Sequence, residues 1–335
     1  MKPYLFITRE IPGSAIDELR KYYDVEVWEK MTPPPYDVLL EKARKADALL
    51  TLLSDKIDCN LIQQAENLRI IAQYAVGYDN IDIDCATKHA IYVTNTPGVL
   101  DEAVADFTWG LLIGIARRIV EADNFVRSGE WYKTGTGWHP LMMLGVEVYG
   151  KTIGIIGMGR IGRAVARRAK AFDMKILYYD IVKLSRELEE SLGAKYVDLD
   201  TLLRESDFVT LHVPLTKETY HLIGERELRL MKSSAYLINT SRGAIVDTEA
   251  LVKALKEKWI AGAALDVFEE EPLPPDHPLT KLENVILAPH AASASVEART
   301  KMAKLAASNL IEFYKGNIPP TLVNKDVIRK RKPGF

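Results

Sequence analysis

Cysteine and histidine are scarce in this sequence: 2 cysteines and 6 histidines in 335 residues. Cys59 and Cys85 fall in separate helical stretches, with no CxxC and no histidine cluster beside them. Neither a structural metal site nor a disulfide framework is therefore expected. A dominant charge is lacking as well. The formal net charge of −2 gives no electrostatic reason for a nucleic-acid or membrane partner. The one concentrated basic run, Arg329 to Lys332, reads as a solvated tail. Long apolar runs are missing too. The greasiest stretch, WGLLIGIARRIV, meets Arg117 and Arg118 well short of the ~20 residues a bilayer span needs. The opening MKPYLFITREIPG lacks the basic, apolar, small order of a secretory signal. A cytoplasmic protein is expected.

What is present suits two globular domains: 47% apolar and 27% charged residues over a length that allows two cores. Up to residue 95, short β-rich runs (YLFIT, VEVW, ALLTLL, LRIIAQY, IYVTN) alternate with helical patterns (SAIDELRKYY, PYDVLLEKARKA, IDCATKHA). Such alternation predicts a parallel sheet covered by helices. From Asp101, which is placed to cap it, DEAVADFTWGLLIGIARRIVEADNFV predicts one long connector helix. RSGEWYKTGTGWHPLMMLG then breaks all periodicity and predicts an arm, suited to packing on a second subunit. A second alternation runs through KTIGIIG, KILYYD, DFVTLHV, AYLINT, GAALDV and NVILAPH. The last helix, VEARTKMAKLAASNLIEFY, has no strand after it and is expected to return to the first domain.

The expected fold class is thus α/β, with two doubly wound parallel-sheet domains. One such domain (102–292, with connector helix 102–126 and arm 127–150) is inserted into the other (1–101 and 293–335). The glycine-rich GIIGMGRIG within the inserted part marks it as the expected Rossmann-type cofactor domain, leaving the outer, flavodoxin-like one for substrate. The two are expected to face each other across a cleft, where ligands of such sheets usually bind.

Gly157, Gly159 and Gly162 form G-x-G-x-x-G after a strand-like run and before a helical one. In that context the motif predicts a dinucleotide loop: a tight turn, a close approach to the pyrophosphate, and helix amides facing the anion. The next strand ends at Asp180, 23 residues after Gly157. A carboxylate there accepts the ribose hydroxyls of NAD and repels the extra phosphate of NADP. Lys183 and Arg186 follow closely and partly offset that repulsion, so NAD(H) is expected, with NADP(H) as the weaker alternative.

Three strand-end segments carry candidate chemistry. Arg242 in INTSRGAIVD has the planar fork that grips a carboxylate, although a lone arginine is more often in a surface ion pair. GAALDVFEEEPLPP offers Glu269, Glu270 and Glu271, among which composition does not choose. His290 ends VILAPHAASAS. His212 in VTLHVP reads as buried packing or a loop contact, and His89, His221 and His277 as surface positions.

GIIGMGRIG, NTSRGAIVD, AGAALDVFEEEP and LAPH, in that order, resemble the D-isomer-specific 2-hydroxyacid dehydrogenases. The likeness spans nearly the whole sequence. YAVGYDNID, YVTNTPGV and the tail PPTLVN are most similar to the glyoxylate/hydroxypyruvate reductase branch, especially its archaeal members. The resemblance implies NADH-dependent reduction of glyoxylate, and of hydroxypyruvate to D-glycerate; the arm favours a homodimer. It implies that Arg242 binds the substrate's carboxylate and carbonyl, selects Glu271 among the three glutamates, and makes His290 the acid/base. A carboxylate beside the imidazole favours its protonated form, which gives a proton to the carbonyl oxygen as hydride arrives. Arg242 disperses charge on that oxygen.

The resemblance further assigns Val76 and Gly77 to the substrate through their backbone amides. Around the cofactor it places Arg160 and Ile161 with the three glycines, and Ile181 and Val182 with Asp180. It adds Pro214, Thr240, Ser241, Arg242, Asp266, His290, Ala291 and Ala292. Trp138 in the arm either closes a neighbouring subunit's pocket or anchors packing, and no metal is implied. Ala291 and Ala292 depart from the glycine and β-branched residue common after the histidine, which bears on substrate shape preference. Two alternatives remain open. One is D-3-phosphoglycerate dehydrogenase or another D-2-hydroxyacid dehydrogenase, although the usual C-terminal regulatory extension and a basic phosphate site are not seen. The other, from a different class, is an NAD(H)-sensing corepressor-like protein, which would need a peptide-binding surface and commonly long disordered extensions.

Overall fold

The computed structural model describes residues 2–335, and the chain divides into two compact units. The first comprises the residues up to Leu100 together with Ala294–Phe335, and the second Asp101–Ser293.

The first unit begins β1 (Tyr4–Ile7), α1 (Ala15–Leu19), β2 (Asp24–Val27), α2 (Tyr36–Lys45) and β3 (Ala48–Thr51). It continues with α3 (Cys59–Gln64), β4 (Ile70–Gln73), α4 (Ile83–Lys88) and β5 (Tyr92–Thr94). The strands form one parallel sheet in the order β2-β1-β3-β4-β5. Every residue of β3 and β4 is buried, as expected of strands covered on both faces. Asp58 and Asp82 cap α3 and α4 by accepting from the amides of Leu61 and Cys85.

One expectation fails in this unit. Cys59 and Cys85 are joined by a disulfide, with their Cα atoms 5.5 Å apart. A separation of 26 residues carries no local signal. The packing of α3 beside α4 brings the two together. By loop-closure entropy, a crosslink across such a span stabilises the unit by about 3.5 kcal/mol.

The second unit opens with α5 (Asp101–Ala116), α6 (Ile119–Arg127) and α7 (Glu130–Lys133). The single long helix expected over 102–126 is therefore broken. Arg118 takes a left-handed conformation with φ 55°. The Ala116 carbonyl accepts from the amide of Val146, where the arm folds back. Gly145 is pressed so close that a Cβ there would lie 2.4 Å from that carbonyl oxygen. The break is imposed by a contact nearly thirty residues away in sequence.

Beyond the arm come β6 (Thr152–Ile156), α8 (Arg160–Ala171), β7 (Lys175–Tyr179), α9 (Arg186–Leu192), β8 (Ala194–Tyr196) and α10 (Leu199–Glu205). They are followed by β9 (Phe208–Leu211), α11 (Glu225–Leu230), β10 (Tyr236–Asn239), α12 (Thr248–Lys256), β11 (Gly262–Leu265) and β12 (Val285–Leu287). All seven strands are parallel, in the order β12-β11-β10-β9-β6-β7-β8. The chain builds outward from β6 through β7 to β8 and then restarts at β9 on the other side. That reversal between β6 and β9 is the position where such sheets open a crevice at their carboxyl ends. On one face, α5 and α8 bury Trp109, Val165 and Ala169 against the sheet.

The last helix, α13 (Val296–Tyr314), belongs to the first unit and packs on α1 and β4. There the Tyr23 hydroxyl donates to the Leu310 carbonyl at 2.6 Å. Among the described residues, no helix is long and apolar enough to cross a membrane.

Candidate active site

The turn between β6 and α8 is shaped by its glycines. Gly157 has φ +94°, and a Cβ there would come within 2.7 Å of the His212 backbone at the end of β9. A Cβ on Gly162 would sit 2.1 Å from the Gly157 carbonyl oxygen. At Gly159, which precedes α8, the space is open. The three positions make a tight turn, a tight helix–turn contact and a clear approach to the first amides of a twelve-residue helix. This cradle fits a dinucleotide pyrophosphate. Arg160 and Ile161 open the helix. Burial pushes the His212 imidazole down to about 3, so it stands neutral beneath the turn, with Nε2 3.1 Å from the Thr210 hydroxyl.

Asp180 follows β7 directly. Its Oδ2 accepts from the Met158 amide at 2.7 Å and its Oδ1 from the Val182 amide at 3.0 Å. The carboxylate thus ties the glycine turn to the next strand end, and each oxygen keeps a lone pair for a ribose hydroxyl. Ile181 and Val182 stand exposed beside it. The two nearby cations point elsewhere. Arg186 pairs with Glu190 at 2.8 Å, and Lys183 lies over the Tyr196 ring, 3.9 Å from Glu189.

Three adjacent strands, β10, β11 and β12, deliver the remaining candidates from the same edge. Arg242 lies just past β10. Its turn is clamped by Asn239, whose Oδ1 accepts from the Ser241 amide and whose Nδ2 donates to the Arg242 carbonyl. Pro214 follows β9. Thr240 shares a 2.8 Å hydroxyl contact with Thr108 of α5. Past β11, Glu271 Oε2 meets His290 Nδ1 at 2.7 Å, and its Oε1 accepts from the Phe268 amide at 3.0 Å. Burial by itself would raise the Glu271 pKa. The hydrogen bond and charge of His290, the Phe268 amide and the Arg242 guanidinium outweigh it and hold the carboxyl below its ordinary value. The other two glutamates are distinguished by their surroundings: Glu269 is taken up by His221 (3.0 Å) and the Thr248 amide (2.8 Å), while Glu270 faces solvent.

His290 itself is held in a strained backbone, with φ +52°, a region that few non-glycine residues occupy. The buried Asp266 enforces it. The Asp266 carbonyl accepts from the His290 amide at 2.8 Å, and its carboxylate accepts from Ala291 (2.7 Å) and Ala292 (2.8 Å). Burial raises the Asp266 pKa, and the two amides counter it. The side chains of His290 and Glu271 remain 30% and 36% exposed, so the pair is rigid yet reachable.

Two residues that sequence reasoning passed over complete the arrangement. Asn239 was legible only as the start of an Asx turn in NTSRG. Gly243 lies where a Cβ would fall 1.8 Å from the Phe268 carbonyl carbon, a contact with no trace in local sequence. Val76 and Gly77 lie in the first unit, in the turn after β4.

The model of the D-isomer specific 2-hydroxyacid dehydrogenase NAD binding domain matches residues 109–292. A glyoxylate reductase of Aeropyrum pernix is 63% identical over 334 residues, covering 100% of this chain and 99% of its own. One of Thermococcus litoralis is 63% identical over 333 residues, covering 99% and 100%. Among solved structures, an NADPH-dependent glyoxylate/hydroxypyruvate reductase from Sinorhizobium meliloti, in complex with NADP and malonate, superposes with a TM-score of 0.85. It is 32% identical and covers 97% of this chain and 98% of that one.

Proposed function

Because the chain belongs to the D-isomer-specific 2-hydroxyacid dehydrogenases, we propose that it is a glyoxylate reductase. It converts glyoxylate, NADH and a proton to glycolate and NAD+, and reduces hydroxypyruvate to D-glycerate as well. The observation that carries this reading is the His290–Glu271 pair at 2.7 Å, on the strand edge that also delivers Arg242 and in the same unit as the glycine cradle.

When bound, the nicotinamide cofactor supplies the hydride. Gly157, Gly159, Arg160, Ile161 and Gly162 hold its pyrophosphate, while Asp180, Ile181 and Val182 take the adenosine ribose. Pro214, Thr240, Ser241, Asp266, Ala291 and Ala292 line the nicotinamide end. Arg242 grips the substrate carboxylate and draws off charge building on the carbonyl oxygen. With His290 Nδ1 committed to Glu271, Nε2 is the nitrogen that delivers the proton. Glu271 stabilises the imidazolium and fixes its plane. We assign the amides of Val76 and Gly77 to the substrate carboxylate as well. We propose a cytoplasmic reaction, in keeping with a sequence that shows no secretory signal pattern.

The test is loss of NADH absorbance when glyoxylate is added to the purified protein, with NADPH and hydroxypyruvate in parallel. NADH is expected to be preferred. Asp180→Ala should weaken NADH binding about tenfold, by removing one charge-assisted contact, and narrow its advantage over NADPH. Cofactor binding without turnover of any 2-oxo acid would favour a sensing protein instead.

We also propose that the arm joins two copies of the chain. Its apolar side chains are turned outward, Tyr132 92%, Trp138 77% and Leu141 71% exposed, with Leu144 and Tyr149 beside them. Apolar surface this concentrated marks an interface, and Trp138 is placed to reach a neighbouring subunit. The expected solution mass is twice 37.6 kDa. A mass of one chain, measured by light scattering, would remove the arm from this role.

A further inference from the structure

The turn after β4 holds two successive backbone amides, those of Val76 and Gly77, that donate to no protein acceptor among the described residues. Their carbonyl neighbours, in contrast, are fixed. The Ala75 carbonyl accepts from the Thr96 amide at 2.8 Å, and the Val76 carbonyl accepts from Asn95 Nδ2 at 2.8 Å. In a trans peptide the C=O and N–H point in opposite directions. Pinning the Ala75 oxygen therefore aims the Val76 N–H, and pinning the Val76 oxygen aims the Gly77 N–H. The Gly77 carbonyl is held in turn by Gln73 Nε2 at 3.3 Å, and Gln73 is itself locked by Asn80 and Thr51.

Of the two side-chain clamps, Gln73 is buried within β4, whereas Asn95 is half-buried and holds the Val76 carbonyl directly. Its own backbone is buttressed from the C-terminal part of the chain. The Asn95 carbonyl accepts from the Thr321 hydroxyl at 2.6 Å and from Nδ2 of the buried Asn309 in α13. The motifs YVTNTPGV and PPTLVN, left without a role by the chemistry above, meet at this point.

We propose that Asn95 is a positioning residue for substrate binding, holding the Val76–Gly77 peptide so that its N–H faces the carboxylate of a short 2-oxo acid. This rests on the reading that the Val76 and Gly77 amides take that carboxylate. The contact is the same in ground and transition states, so its loosening acts on substrate affinity and not on the chemical step.

The test compares wild type with Asn95→Ala and Asn95→Asp in the full chain. It measures NADH oxidation against glyoxylate concentration, competitive inhibition by oxamate, the NADH dissociation constant and the thermal midpoint. In Asn95→Ala the KM for glyoxylate and the oxamate inhibition constant should both rise about tenfold, the weight of one hydrogen bond to a charged group. The kcat and NADH affinity should stay near wild type. Asn95→Asp should be worse, because its carboxylate faces the Val76 carbonyl and repels the substrate. Wild-type KM and oxamate inhibition in both variants would overturn the proposal. So would a fall in kcat alone, or failure of both variants to fold, since each marks a role other than presenting the amide. If wild type itself oxidises no NADH with glyoxylate, the functional reading fails rather than the role of Asn95.

Discussion

Replacing His290 with alanine should lower kcat by a hundred- to ten-thousandfold, the usual weight of a positioned general acid, while NADH binding persists. The geometry argues for an effect this large. With Nδ1 held by Glu271 at 2.7 Å, only Nε2 of His290 is left to carry the proton. The pH profile supplies the diagnostic detail. The Glu271 carboxyl is held below its ordinary value, so its support for the imidazolium is fully present above the ordinary carboxylate range. That support is lost only as pH falls through the lowered value. The acid-side fall of turnover that follows protonation of Glu271 should therefore vanish in His290→Ala, where there is no imidazolium to support. His290→Asn is the better structural control, because asparagine tolerates the left-handed backbone seen at φ +52°. Near-normal turnover by either variant between pH 5 and 8 would end the proton-donor assignment.

How much of this was legible beforehand follows from the range of each interaction. Fully buried strands such as ALLT and FVTL announce themselves, because parallel strands covered on both faces are continuous apolar runs. β8, three residues at the sheet edge reading AKY, has no such signature. The break at Arg118 and the Cys59–Cys85 bond were illegible for one reason. Each depends on a segment brought in from elsewhere: Gly145 and Val146 at the break, and α4 beside α3 at the bond.

The site divides along the same line. The glycine turn is a local device, and its spacing announces it. Arg242 and His290 could be placed at strand ends because the strands themselves were readable. Which of three consecutive glutamates faces the imidazole could not be read from composition, because the answer lies in where His221 and the Thr248 amide sit. Asp266 looked like a cofactor residue from resemblance alone. What its neighbours show is a buried carboxylate bracing the turn that carries His290.

Gly243→Ala should reduce kcat/KM for glyoxylate at least a hundredfold, although the residue has no chemistry of its own. A Cβ there would lie 1.8 Å from the Phe268 carbonyl carbon, 2.0 Å from its oxygen and 2.4 Å from the Glu269 nitrogen. All three are backbone atoms that no rotamer change can move. Restoring ordinary contact means parting the two chain segments by more than ~1 Å, at a cost of roughly 1–3 kcal/mol in overpacking. One segment carries Arg242 immediately before the glycine, and the other carries Glu271 and the Phe268 amide that holds it. A 1 Å misplacement of catalytic groups is worth roughly a hundredfold in rate, and here two groups move relative to each other. KM should rise with Arg242 and kcat fall with the Glu271–His290 pair. NADH should still bind, because its cradle stands on β6. Gly110→Ala, where the same Cβ meets open space within α5, serves as the control and should stay near wild type. If Gly243→Ala keeps wild-type kcat/KM, the close approach of these segments does not set the geometry of the catalytic pair.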